Sequence, residues 1–234
     1  DALPLASITK LMTALVAEEL VAEDSTFNVS SAAMAQLGES GFVPGEVLTS
    51  QSLRDYSLIA SSNDAAYALA DAIGDELLDG GKHAAFVEAM NITAEELALP
   101  SLKFKNATGL DESATVPGSV GSAADVSKLM AHILKKYQYI LEPTTTAYDR
   151  VYNEAGAFHE AENTNPVIYR IPNLLGSKTG YTDLAGGNLT IAFDAGYNRP
   201  IVVTVLGSGY DERFSDVLTL VAAVQEAFSK IDKN

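Results

Sequence analysis

The sequence predicts an α+β fold, and three observations carry that prediction. Apolar residues recur at helical spacing through the first half, the pattern switches to short strand-like runs near residue 174, and amphipathic helices stand near both ends of the chain. A chain of 234 residues fits a single domain, 1–234. At that size it buries roughly 70% of its unfolded surface and needs neither disulfides nor a structural metal. Within it the expected parts are a helical lobe at about 25–135, a sheet at about 171–208 and a closing helix at about 213–231.

Taken in order, Ile8, Leu11, Met12, Leu15, Val16 and Leu20 mark one buried helix face, which leaves Ser7, Lys10 and Ala14 together on another. From Asn28 to Met34 a short strand or turn is expected, followed by a Gly-rich loop that ends near Leu48. Two helical pieces follow, Leu53 to Ala60 and Asp64 to Ile73, broken by Ser61-Ser62-Asn63, residue types that favour caps over helix interiors. Ala84 to Ala98 supplies one or two helices, with Thr93 and Glu96 spaced as a capping box. After a turn-rich stretch, 104–112, the segment from Ser122 to Tyr137 is amphipathic, with Ser122 and Asp125 as its cap. Residues 138–170, rich in Thr, Tyr, Asn and Glu, read as irregular. Leu174 to Thr182, Asn188 to Asp194 and Ile201 to Leu206 read as three antiparallel strands, and Arg213 to Ile231 as the final helix.

Composition removes several function classes. A net charge of −16 leaves nothing to neutralise phosphates, so no nucleic-acid partner is expected, and anionic membranes are disfavoured. No apolar run approaches the ~20 residues of a spanning helix. The absence of cysteine excludes thiol catalysis and zinc–thiolate sites. His83, His132 and His159 lack metal-ligand spacing and read as structural or solvated, so no metal and no cofactor is expected.

The chemistry lies in three short motifs. Ser7-Ile-Thr-Lys10 puts a hydroxyl and an amine one helical turn apart, Ser61-Ser62-Asn63 stands at a helix break, and Lys178-Thr179-Gly180 stands on the first expected strand. A serine at a helix start is commonly a cap and a lysine one turn later commonly surface, so S-x-x-K alone carries little. All three motifs in this order carry much more. Ser7 at a helix N-terminus suits a nucleophile. With no histidine placed by motif, Lys10 is the natural base if it is neutral, which for a shift from ~10.4 to about 7 or 8 requires roughly 4 kcal/mol of differential stabilisation. Burial and a second cation, Lys178, can supply that.

These motifs, together with Phe104-Lys-Asn-Ala-Thr-Gly-Leu-Asp, Asn163-Thr-Asn, Gly176-Ser-Lys-Thr-Gly-Tyr-Thr-Asp and Arg213-Phe214, resemble the serine-type D-alanyl-D-alanine carboxypeptidases, the low-molecular-mass penicillin-binding proteins. The resemblance runs from about Pro4 to the end. It implies a β-lactamase-like fold in which a five-stranded antiparallel sheet packs against helices, with a helical lobe across the cleft. It implies that Ser7 is acylated by peptidoglycan stem peptides and by β-lactams, that Lys10 and Lys178 share one site, that Ser61 passes a proton to the leaving D-alanine and that Asn63 binds the substrate amide and holds Lys10. Thr179 and Lys178 would meet the terminal carboxylate, Gly180 would allow close approach of the substrate backbone, and the N–H groups of Ser7 and Tyr181 would form the oxyanion hole. Arg213 either assists at the carboxylate or is a surface arginine at a helix start. An extracytoplasmic location, in the periplasm or at the cell surface, follows from such a substrate.

Two other readings compete. Class A β-lactamases carry a glutamate in an E-x-x-L-N segment, which neither Glu95-Glu-Leu-Ala-Leu nor Glu142-Pro-Thr-Thr matches, so β-lactams are expected to acylate Ser7 and leave slowly. A non-catalytic peptidoglycan-binding module would keep the cleft without the chemistry, but every motif residue is intact. In the family a longer segment precedes the S-x-x-K helix and forms two strands, whereas Ser7 follows only six residues. The resemblance therefore implies that the N-terminal strands are missing, and that strand 201–206 pairs either with such a segment or with the same strand of a second molecule.

Overall fold

The computed structural model describes residues 1–38 and 40–231. In chain order the elements are β1 Leu3–Pro4, a 3-10 turn Ala6–Thr9, α1 Lys10–Leu20, β2 Thr26–Asn28, α2 Ser31–Met34, β3 Val47–Thr49, α3 Ser50–Ile59, α4 Asn63–Leu77 and α5 Lys82–Glu96. Then come β4 Lys103–Phe104, β5 Ser119–Gly121, α6 Ala123–Lys136, the hairpin β6 Tyr148–Tyr152 and β7 Phe158–Glu162, the strands β8 Leu174–Thr182, β9 Gly186–Asp194 and β10 Pro200–Ser208, and α7 Glu212–Ile231.

The architecture is an antiparallel sheet in the order β10-β9-β8 with helices on both faces. Strand alternation decides which side chains go where. Leu189, Ile191 and Phe193 of β9 pack with Val203 against Val217 and Val221 of α7, while Ala192 and the flanking Val202 and Leu206 join the main core on the other face. There a polar ladder ties sheet to helix, with Thr204 Oγ1 of β10 at 2.8 Å from Thr190 Oγ1 and 2.7 Å from Ser127 Oγ of α6. The sheet holds three strands among the described residues, not the five that the family resemblance implies, and β10 pairs only on its β9 side.

Helix α1 is the centre of the helical layer. One buried face was expected of it, but every residue from Lys10 to Ala17 is buried, because α3, α4, α5 and α6 surround it. A helix covered all round must satisfy its polar side chains internally. Thr13 does so by donating to the Ala107 carbonyl at 2.7 Å.

Residues 31–34, expected as a short strand or turn, form one helical turn, capped by Ser30 Oγ accepting from Ala33 N. Two local expectations are corrected. Thr93 lies inside the single helix α5, and its carbonyl accepts from Leu97 N, so the Thr93–Glu96 spacing starts no helix. Residues 148–162, expected to be irregular, form a hairpin whose inward Val151 and Ala161 pack on the core. The long strands, the cap of α6 by Ser122 and the closing helix agree with expectation.

One buried charge group braces α1 against α3. Arg54, 3% exposed, binds Glu18 of α1, Glu23 and Asp55. Removing one partner of a buried ion group strands the others, so Arg54→Ala should destabilise the fold by about 3–5 kcal/mol. Urea titration checks this, and a loss below about 1 kcal/mol would mean the group is solvated.

Candidate active site

Ser7 sits in the 3-10 turn that leads into α1, at a backbone position set by its neighbours. Ala6 has φ +50°, a left-handed conformation that costs a residue with a Cβ about 1 kcal/mol or more and clusters at functional sites. The turn is held there by Thr9 Oγ1, which donates to the Ala6 carbonyl at 2.7 Å and lies 2.5 Å from Ser119 Oγ of β5. On its other side Gly109, itself at φ +81°, passes so close that any Cβ would run into the Ala6 carbonyl.

Lys10, the first residue of α1, is 0% exposed. Its Nζ stands 2.8 Å from Ser7 Oγ, 2.7 Å from Asn63 Oδ1 and 2.8 Å from the Thr108 carbonyl. Burial is the main reason its pKa lies well below the ordinary lysine value, and the Lys178 cation adds to it. Both causes are the ones expected from the sequence.

The break between α3 and α4 presents the second motif. Ser61 adopts φ +58°, which turns the chain sharply, and Ser62 caps α4 by accepting from Ala65 N at 3.0 Å. Asn63 is then the first helical residue, with its Nδ2 donating to the Leu37 carbonyl at 2.6 Å. Ser62 is pinned in turn by Ser40 Oγ at 2.6 Å.

Strand β8 brings the third motif. Lys178, 1% exposed, donates from Nζ to Ser61 Oγ at 2.8 Å and to the Thr179 carbonyl at 3.0 Å. Its pKa falls to about 7, through burial first and the Arg213 charge second. Thr179 Oγ1 is 2.5 Å from Thr164 Oγ1. Gly180 lies so close to the 3-10 turn that an added Cβ would come within 2.8 Å of the Leu5 carbonyl and 3.2 Å of the Ser7 and Ile8 nitrogens. Only glycine lets strand and nucleophile turn approach this closely.

Arg213 is not the surface arginine that one reading allowed. It is 4% exposed, donates from Nη1 to the Gly180 carbonyl at 2.8 Å, and lies over the rings of Tyr210 and Phe214. Its Nε is buried without a hydrogen-bond partner among the described residues. Tyr181, by contrast, is half exposed, its ring edge-on to Tyr210 at 4.9 Å. A cavity of ≈ 540 Å³ lined by Leu37, Leu110, Asp111 and Tyr181, among others, adjoins this end of β8. No cluster of metal-ligating side chains is found among the described residues.

Ser7, Lys10 and Asn63 thus form one hydrogen-bonded set, and Ser61 and Lys178 a second. Each set joins residues that are distant in sequence. Among the described residues the Thr179 hydroxyl joins neither set, its hydrogen bond being to Thr164 Oγ1. The carbonyls of Thr108 and Leu37 were not among the expected groups, because a backbone carbonyl leaves no mark in the choice of residue. The nearest signal was the turn sequence Asn106-Ala-Thr-Gly, where Asn106 Oδ1 accepts from the N–H groups of Thr108 and Gly109.

A buried lysine in contact with a serine at the head of a central helix, beside a second Ser–Lys pair and the edge of an antiparallel sheet, defines the penicillin-binding-protein class of fold. The sequence profile of the D-alanyl-D-alanine carboxypeptidase family matches residues 1–209, and the chain belongs to that family. It is 34% identical over 222 residues to the D-alanyl-D-alanine carboxypeptidase DacF of Bacillus subtilis, covering 92% of this chain and 54% of DacF. It is 31% identical to the D-alanyl-D-alanine endopeptidase of Escherichia coli, covering 93% of this chain and 68% of that protein. The chain spans about half the length of DacF and of DacA from Haemophilus influenzae, 54% and 50%. Among solved structures, penicillin-binding protein D2 of Listeria monocytogenes in its ampicillin-bound form matches with 28% identity, TM-score 0.75, and coverage of 96% of this chain and 88% of that one. A mutant form of the Streptomyces K15 DD-transpeptidase shares the fold at TM-score 0.82 and 23% identity, with 97% of this chain and 89% of that one covered.

Proposed function

We propose that the chain is a serine peptidase that removes the terminal D-alanine from peptidoglycan stem peptides through an acyl-enzyme on Ser7. The observation that carries this is the contact of Ser7 Oγ with a fully buried Lys10 whose other two polar contacts are carbonyl oxygens. A neutral amine has two N–H donors and one lone pair. With Asn63 Oδ1 and the Thr108 carbonyl taking the two hydrogens, the lone pair faces the Ser7 hydroxyl. Ser7 Oγ then attacks the carbonyl carbon of the penultimate residue while its proton moves to Lys10 Nζ. The negative oxygen formed is met by the N–H groups of Ser7 and Tyr181, on backbone segments that Gly180 allows to lie close together. As the C–N bond breaks, the leaving amine takes a proton from Ser61, which Lys178 resupplies across their 2.8 Å hydrogen bond. Water then attacks the ester carbonyl and gives up a proton through Ser61 to the now neutral Lys178, while protonated Lys10 returns its proton to Ser7 Oγ as the ester C–O bond breaks. Thr179 and Lys178 receive the substrate carboxylate, and Arg213, bound to the Gly180 carbonyl, keeps that strand in place.

β-Lactams are proposed to acylate the same serine. The ampicillin- and cefotaxime-bound forms of the Listeria relative support this reading. The matched relatives are named as carboxypeptidases and as endopeptidases, so the bond cleaved is read from the products. We infer an extracytoplasmic site of action, since that is where the proposed substrate is cross-linked, and an added strand along the open edge of β10, whose Ile201, Val202, Val205 and Leu206 are only partly covered. The strand comes from a further segment or from a second copy.

Mass spectrometry of muropeptides incubated with the protein tests the assignment. Loss of a single alanine from pentapeptide stems is expected. Cleavage of cross-links without alanine release would make it an endopeptidase, and no product from a folded protein would favour a binding module. Rapid turnover of a chromogenic cephalosporin would instead favour the β-lactamase reading.

A further inference from the structure

The Thr108 carbonyl receives one of the two hydrogens of neutral Lys10, so whatever fixes this carbonyl also aims the lone pair at Ser7. Three successive peptide groups of this loop are gripped. Ala107 N donates to His83 Nε2 at 3.2 Å, the Ala107 carbonyl accepts from Thr13 Oγ1 at 2.7 Å, and the Thr108 carbonyl accepts from Lys10 at 2.8 Å. Thr13 and Lys10 both belong to α1, so one side of the loop is held by the helix it serves. The other side is held by His83, at the start of α5.

We propose that His83 is a positioning residue for the Ser7–Lys10 pair, acting through the loop at residues 107–108, and that it does so only as the neutral imidazole. This rests on the reading of Lys10 as the base. Accepting at Nε2 puts the single ring proton on Nδ1, which is buried without a hydrogen-bond partner among the described residues. The ring itself is fixed by the Tyr67 ring of α4, stacked at 4.5 Å and 15°. An imidazolium would carry N–H at both nitrogens, and its Nε2–H would oppose the Ala107 N–H. Protonation therefore breaks the grip.

The charged and titratable groups facing the ring are Asp71 and Tyr67 from α4 and Glu112 from the loop beyond Gly109. The two carboxylates favour the cation, but burial outweighs them and the His83 pKa lies below its ordinary value. The neutral, accepting form is thus the resting form at neutral pH, and the grip is lost as pH falls through the acid range.

The test compares His83→Leu, which removes the acceptor, with His83→Gln, whose Oε1 can accept from Ala107 N but does not titrate. The second-order rate of acylation by a fluorescent penicillin is measured from pH 5 to 9, with thermal melting alongside. His83→Leu should acylate about tenfold more slowly at pH 7.5. His83→Gln should stay within about threefold of wild type there and retain more of its rate at pH 5.5 than wild type does. The proposal is overturned if His83→Leu acylates at the wild-type rate throughout. It is equally overturned if both variants lose rate only in proportion to a lower melting temperature, or if the acid limb of His83→Gln coincides with that of wild type. Failure of the wild-type protein to acylate at all would instead remove the Ser7–Lys10 reading itself.

Discussion

Lys10→Met is expected to slow acylation of Ser7 by about 10³-fold, equivalent to about 4 kcal/mol in the barrier. The buried amine is the one group that touches Ser7 Oγ and can take its proton, since no histidine or carboxylate among the described residues hydrogen-bonds to that oxygen. Methionine fills similar space, so the helix keeps its packing. The substitution leaves Asn63 Oδ1 and the Thr108 carbonyl without their donor, about 1–3 kcal/mol each, while relieving the burial of an amine. Stopped-flow labelling with a fluorescent penicillin, read against a thermal melt of the same sample, gives the rate on folded protein. A variant that labels within tenfold of wild type would mean that another group accepts the proton.

The second large effect is on stability. Lys178 has a folded pKa of about 7 against an ordinary 10.5. Between those values the unfolded chain carries a proton on this lysine that the folded protein does not, so the unfolded state binds more protons and stability must rise with pH. Across the full window, from pH 7 to about 10.5, the single group contributes up to about 5 kcal/mol, with Lys10 acting in the same direction. Urea titrations at pH 7 and pH 9.5 should therefore show the wild type gaining stability, and Lys178→Met gaining markedly less. Parallel pH dependence in the two proteins would place the Lys178 charge in solvent.

The meeting of Ser7 with Lys10 and Asn63, and the place of Lys178 on a strand, can be read from the sequence because these side chains are tied by their spacing to a helix start, a helix break and a strand. The three long strands were legible because Leu189, Ile191 and Phe193 alternate with small and polar residues, as a sheet between two helical layers requires. The hairpin at 148–162 was not legible, since Tyr148, Tyr152 and Phe158 face outward and only Val151 and Ala161 pack inward, which inverts the usual pattern. In the sequence helix α1 reads as one-faced, since lysine and threonine, the residue types at positions 10 and 13, mostly face solvent. Lys10 and Thr13 are buried because each has found an internal carbonyl.

Arg213 shows why a lone cation is hard to assign from sequence. Its position at the start of α7 fits a surface residue equally well, and only the fold brings the Gly180 carbonyl beneath it. Lacking metal-ligand spacing, His83 reads in the sequence as structural or solvated. What gives it a further role is the backbone N–H of Ala107, a group that every residue except proline offers and that no motif can mark.

Ser7, activated by a buried Lys10, is the proposed nucleophile. Intact-mass measurement after incubation with benzylpenicillin, followed by peptide mapping, tests it most directly. One penicilloyl adduct per chain is expected, on the peptide that contains Ser7, persisting long enough to be isolated and absent from Ser7→Ala. A folded wild-type chain with no adduct, or an adduct that maps elsewhere and survives Ser7→Ala, would contradict it.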